Sequence, residues 1–168
     1  FVRSLYAAAN DDDDDALLKW TNHHLRKAGA NRPELEKVLI HYRDSGEDEK
    51  YEAACFLIRT MPGQYSLRGA SLDRYYTELD SYYHRGNTDA LQYYAFLDSL
   101  FSKLSFNNLK EEPDLKYIDS HYLIDRIDEA FTVRNPKWYD DMPFSEFCDY
   151  LLPYRVGTEE LEDWFTDY

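Results

Sequence analysis

Apolar residues recur along this chain at intervals of three and four, the spacing of one face of an α-helix, and short polar or glycine-containing breaks divide them into segments. Acidic residues Asp11 to Asp15 precede Ala16, Leu17, Leu18, Trp20 and Leu25, which predicts a helix from about Asp14 to Ala28, stopped by Gly29. Asn31-Arg32-Pro33-Glu34 supplies a cap, an early proline and an early acid. The helix it opens carries Leu35, Val38, Leu39 and Tyr42 and breaks at Ser45-Gly46. From Glu47 a third helix sets Tyr51, Ala54, Cys55, Ile58 and Met61 on one stripe, and Met61-Pro62-Gly63 ends it.

The second half repeats the pattern. Leu67 to Gly69 reads as a connector, and Ser71 as the cap of a helix with Leu72, Tyr75, Leu79, Tyr82 and Tyr83 on its apolar face, closed by His84-Arg85-Gly86. Thr88 opens a fifth helix whose apolar stripe is Leu91, Tyr94, Leu97, Phe101 and Leu104. Asn107 to Pro113 reads as a polar loop. Asp119 or Ser120 caps a sixth helix carrying Tyr122, Leu123, Ile127, Ala130 and Phe131, stopped by Asn135-Pro136. A seventh spans Phe144 to Leu152 and closes at Pro153, and Thr158 to Trp164 begins an eighth. Alternating β-branched runs and hairpin signals are missing. The expected fold is all-α, an irregular orthogonal or antiparallel bundle of about seven helices: residues 1–10 as a flexible arm, residues 11–168 as a single domain.

Composition narrows the partners. The 33 acids exceed the 19 bases, giving a formal charge of −14. Phosphate backbones and anionic lipid surfaces repel such a chain, which excludes ordinary nucleic-acid binding and leaves proteins, neutral glycans, cations or another domain. No apolar run reaches the roughly 20 residues of a membrane span. The chain starts at Phe1, as expected of a processed form or an excised piece, and Leu5-Tyr6-Ala7-Ala8-Ala9 resembles the small-residue end of a secretory signal.

Candidate chemistry is sparse. The Asp11–Asp15 run lacks the spacing of a calcium loop, since Ala16 and Asn22 stand where a glycine and a bidentate acid belong, so it reads as a solvated helix start. His23 and His24 point about 100° apart on a helix, and His41, His84 and His121 are isolated, so no metal set is expected. Cys55 sits mid-helix between Ala54 and Phe56, and Cys148 lies beside Asp149, which raises a thiol pKa; both read as buried free thiols acting as small apolar groups, with a bridge between them allowed but not demanded. No phosphate-binding loop or serine elbow is present, and no catalytic residue, cofactor or metal is assigned. Aromatic residues reach 17%, mostly in stripes with core spacing, whereas Trp20, Trp138 and Trp164 fall at element edges.

Four phrases in order carry a resemblance: residues 28–39 (AGANRPELEKVL), residues 56–65 (FLIRTMPGQY), residues 118–131 (IDSHYLIDRIDEAF) and residues 144–155 (FSEFCDYLLPYR). Together they resemble the helical N-terminal region of bacterial secreted or lipid-anchored transglutaminase-like proteins, over about residues 28–164. The resemblance implies a non-catalytic accessory domain that supports or positions a Cys-His-Asp catalytic domain downstream in the same polypeptide. Cys148 then matches a cysteine of the helical region, not the nucleophile, and Leu152-Pro153-Tyr154-Arg155 leads toward the catalytic domain. It also implies an extracytoplasmic location. Trp138, Tyr154, Arg155 and Trp164 are the candidate domain-interface or binding residues, with Trp138, Tyr154 and Arg155 expected to be exposed. The alternative is a free-standing glycan- or peptide-binding module using exposed aromatics.

Overall fold

The computed structural model describes residues 11–86, 89–134, 142–155 and 157–161, with side chains from Leu18 onward. Among the described residues the regular structure is helical apart from one two-stranded ladder, in keeping with the all-α expectation. In chain order come α1 (Asp11–Ala28), a 3-10 turn (Gly29–Asn31), α2 (Arg32–Ser45), α3 (Asp48–Thr60), β1 (Tyr65–Arg68), α4 (Ala70–His84), α5 (Ala90–Lys103), β2 (Lys110–Pro113), the single-turn α6 (Asp114–Tyr117), α7 (Ser120–Arg134) and α8 (Phe144–Tyr150). Among the described residues no helix is long and apolar enough to cross a membrane.

The described residues form two compact units. The first takes residues 11–64 and 113–161, the second residues 65–112. In the first, α3 packs against α1, α2 and α7, and α6 lies on α1 and the 3-10 turn. The small residues Ala53 and Ala54 on α3 are fully or almost fully buried, which lets its neighbours approach closely around Leu35, Val38, Ile58 and Ile127. The expected stripe of α3 is therefore a core face, with Ala54, Cys55, Ile58 and Met61 buried. α8 joins the same core through Phe144, Phe147 and Cys148.

Polar residues stitch this unit together across long sequence separations. Tyr42 is fully buried, and its hydroxyl meets Ile124 O and Asp128 Oδ1 of α7, both at 3.1 Å. Lys50 pairs with Asp128 at 3.0 Å and with Glu47 at 2.6 Å. Arg134 binds Glu49 at 2.9 Å and lies over the rings of Phe147, Phe144 and Phe131, with centroids 4.9, 5.4 and 5.6 Å away.

Helix ends depart from the sequence reading in instructive ways. Asn31 does occupy the position before α2, but its side chain makes no cap; it donates to Ile118 O at 2.8 Å, a tertiary bond. Glu34 of α2 accepts from both the backbone and the hydroxyl of Ser120, at 3.1 and 2.7 Å, and so caps α7 from outside. Asp119 caps α7 as expected, through Tyr122 N at 2.8 Å. Gly46, with φ of 73°, terminates α2 in the left-handed conformation that suits glycine.

In the second unit, β1 pairs with β2. Both strands replace segments expected to be connector and loop; β1 alternates over only four residues, Tyr65-Ser66-Leu67-Arg68, β2 does not alternate, and each acquires its pairing from a partner far along the chain. Arg68 and Glu112 reinforce the pair at 3.1 Å. Helix α4 begins at Ala70 after Gly69, with no side-chain cap, so Ser71 does not play that part. Asp89 caps α5 through Leu91 N and Gln92 N at 2.8 and 3.2 Å, while Thr88 lies outside the described residues.

The larger correction concerns α5. Its expected core stripe is left largely open: Leu91 is 81%, Tyr94 64% and Phe101 51% exposed and Leu97 and Leu104 are half-buried, while Leu100, outside that stripe, is buried. The rings of Tyr82 and Tyr83 on α4 meet Tyr93, and Tyr82 stacks on Phe96 at 4.5 Å. Helix α5 is apolar on both sides, so periodicity alone does not choose between them.

Candidate functional site

The Leu152-Pro153-Tyr154-Arg155 exit carries a dense, buried polar arrangement. Helix α8 ends as Leu151 N and Leu152 N both bond to Phe147 O, at 2.9 and 3.1 Å, and Pro153 prevents its continuation. The chain then folds back so that Tyr154 and Arg155 reach Asp114 at the first turn of α6. Arg155 Nε and Nη2 donate to Asp114 Oδ2 and Oδ1 at 2.6 and 3.0 Å, a bidentate pair. The Tyr154 hydroxyl donates to Asp114 Oδ2 at 2.8 Å. Side-chain exposure is 6% for Arg155 and 1% for Asp114, so the pair is buried.

Every side of this lock is tied down. Tyr122 of α7 donates to Tyr154 O at 2.6 Å, and Arg155 also reaches the backbone oxygens of Gly157 and Glu159. Asp114 N donates to Gln64 O at 3.0 Å, so the far end of α3 is drawn in. Burial and the adjacent Asp114 carboxylate push the Tyr154 hydroxyl far above its ordinary pKa, keeping it a donor. An open cleft of about 290 Å³ adjoins the lock, lined by Phe56, Thr60, Gln64, Cys148, Asp149 and Arg155 among others.

This geometry corrects the expectation that Tyr154 and Arg155 are exposed. Tyr154 is only 4% exposed and the Arg155 head is committed to Asp114. A local reading of an extended exit after proline leaves both residues in solvent; the partner that buries them comes from a segment expected to be loop and its end. The acid directly after Pro113 was the available signal, because proline then acid commonly opens a helix and places a carboxylate at its start. Trp138 and Trp164, the other two candidates, lie outside the described residues. Trp20 is 61% exposed, as its place at an element edge suggests. Residues 158–161, expected to begin a helix, form a turn and a bend and then run without regular structure.

The thiols are free and buried. Burial, helped by the Asp149 carboxylate and only partly opposed by Arg134, raises Cys148 to about 12. Burial raises Cys55 to about 11 against hydrogen bonds from Thr21 and Tyr51 that pull the other way. A thiol so raised is almost wholly protonated near neutral pH and is a poor nucleophile. The histidines do not converge: His121 pairs with Asp125 at 2.7 Å and His84 with Asp80 at 3.1 Å, each along its own helix. Among the described residues no group of three or more His, Cys, Asp or Glu is placed to hold a metal ion.

Comparison with family models, with curated proteins and with solved structures finds no match to this chain.

Proposed function

We propose that this chain is a non-catalytic helical accessory domain of a transglutaminase-like protein, supporting or positioning a Cys-His-Asp catalytic domain that follows it. The observation that carries this reading is the lock on the exit segment. A chain that leaves a domain through a buried bidentate ion pair does so in a fixed direction, and fixed direction is what positioning a following domain requires. The protonated, buried state of Cys148 favours the same reading, because it suits a packing residue better than a nucleophile. An extracytoplasmic location belongs to the same proposal and rests on the sequence resemblance.

The test begins with the reading frame beyond Tyr168. A following domain with a Cys-His-Asp set is expected, and a frame without one overturns the proposal. Where it is present, the longer polypeptide is compared with one lacking residues 11–161 and with an Asp114→Asn variant. Iodoacetamide labelling of the downstream cysteine and thermal unfolding of that domain should both change when the lock is broken. A downstream domain that folds and labels identically without residues 11–161 also overturns it.

A further inference from the structure

We infer that one side of the α4–α5 pair is a docking face for a basic amphipathic helix of a partner protein. The two helices run antiparallel: Tyr82, late in α4, stacks on Phe96, whereas Tyr75, early in α4, meets Phe101 late in α5 at 5.5 Å. Tyr75 and Tyr82 on α4, and Tyr93 and Leu100 on α5, therefore mark the sides turned toward the opposite helix. One residue further along a helix is turned by about 100°. In an antiparallel pair that turn leads to the same side on both members, so Tyr76 and Tyr83 share a side with Tyr94 and Phe101.

The ring contacts agree with this placement. Tyr83 and Tyr94 both touch Tyr93, at 5.9 Å, and Tyr76 and Phe101 both touch Tyr75, at 5.4 and 5.5 Å. Tyr76 is 42%, Tyr83 57%, Tyr94 64% and Phe101 51% exposed, and Leu91 is 81% exposed at the edge of the same side. Helical spacing puts only further leucines and an alanine between them. Four exposed rings on one side of the pair, each resting on Tyr75 or Tyr93 and with no charged residue between them by helical spacing, form the kind of patch that marks an interaction surface rather than scattered surface apolarity.

The rim selects the occupant. Two positions from the contact side, the outer edges carry Asp73 and Asp80 on α4, the latter beside its His84 partner, and Asp98 on α5, all exposed. The cations Arg74 and Lys103 fall on the opposite side by the same spacing. A partner that fits has an apolar stripe to cover the rings and lysines or arginines beside it to meet the aspartates, with tyrosine faces available to the cations. A second copy would set the same aspartates against each other, and a lipid surface gains nothing from a carboxylate rim. The inference does not rest on the accessory-domain reading.

The experiment titrates the whole chain into a fluorescent amphipathic peptide of leucine and lysine, followed by anisotropy, beside a leucine and glutamate peptide of the same pattern. The lysine peptide should bind and the glutamate peptide should not. A Tyr83→Ser/Tyr94→Ser variant should weaken binding about tenfold. Asp80→Asn/Asp98→Asn should weaken it several-fold and lessen its salt dependence, roughly as rim charges do elsewhere. Because a chain of charge −14 attracts cationic peptides everywhere, Tyr117→Ser/Tyr150→Ser, which removes exposed rings of the other unit, must bind like the parent. Equal binding by the Tyr83/Tyr94 variant and the parent overturns the inference, as does equal binding of both peptides. Sedimentation showing a dimer that this variant dissolves would assign the face to a second copy instead. Vesicle binding lost in the same variant would assign it to lipid. Circular dichroism of each variant verifies its fold, and the two aspartate substitutions test the face without touching a ring.

Discussion

The two units use the same helical spacing and reach different degrees of closure. In the first, Leu35, Val38, Tyr42, Ile58, Ile127 and Phe147 have no exposed surface, and its buried tyrosines have their hydroxyls paired. In the second, Tyr82, Leu100 and Ser66 are the residues that reach burial among those described, and the Tyr82 hydroxyl is buried with no hydrogen-bond partner among the described residues. Residue type explains the contrast. Alanines, branched aliphatics and phenylalanines let helices approach and interlock, whereas tyrosines hold helices apart and bring a hydroxyl that must be satisfied or left wet. Helical periodicity assigns an apolar face; it does not say whether that face will be closed over.

The sharpest way to break this comparison is to truncate a ring in each unit. Phe147→Ala removes a side chain wedged between Phe131, Phe144 and Arg134, and should cost about 3–5 kcal/mol in urea unfolding. Phe101→Ala, on the open face, should cost less than about 1 kcal/mol. Equal losses would mean that the second unit has a closed core after all. Asp114→Ala should follow at about 3 kcal/mol, because it strands the buried Arg155 head, and the loss should appear as a lower midpoint with unchanged slope.

A smaller effect separates the units by sign. Tyr154→Phe removes a buried, bonded hydroxyl and should destabilise by about 1–2 kcal/mol. Tyr82→Phe removes a buried one with no partner among the described residues and should be neutral or stabilising by up to about 1 kcal/mol. A loss at Tyr82 comparable to that at Tyr154 would reveal a partner for its hydroxyl.

The smallest expected effect is in acid. Hydrogen bonds from Lys37 and Ser120 hold the Glu34 carboxyl at about 2, against an ordinary 4.5. Its folded pKa lies below its unfolded one, so its stabilisation is fully present above about 4.5 and is lost as pH falls toward about 2. A pH series of thermal midpoints for Glu34→Gln should therefore run below the parent near neutrality and converge with it in acid. Parallel curves would show that the cap on α7 does not depend on that charge.

Much of the fold is legible along the chain where local chemistry decides. Pro33 in its first turn marks the start of α2, Met61-Pro62-Gly63 ends α3, and Asp119 caps α7, each from residues within a turn of the boundary. The burial of Cys148 and the effect of Asp149 on it are equally local. What escapes has a distant partner. β1 alternates over four residues only, too short to announce a strand, and β2 does not alternate, so both are made visible by pairing. Arg155 is buried by Asp114, and nothing next to either announces the other. The exposed side of α5 escapes for a different reason, since Leu91-Tyr94-Leu97-Phe101 and Tyr93-Phe96-Leu100 are rival faces of one helix, and spacing weighs them equally.

The bond from Asp114 N to Gln64 O has a consequence for how the chain could have been assembled and how it can be edited. It clasps the two points at which residues 65–112 leave and rejoin the first unit. With its ends already held, the segment between them is a detour: lengthening or shortening it changes the closure cost only slowly, by about 0.6 kcal/mol per doubling. Residues 65–112 should therefore be replaceable by a short glycine-serine bridge without unfolding the first unit, whose own pairings, Glu34 with Ser120 and Tyr42 with Asp128, lie outside the detour. Seen from the ribosome, the length of that detour sets a waiting time: the first three helices emerge before α7 and α8, and spend that interval without the neighbours that complete their core.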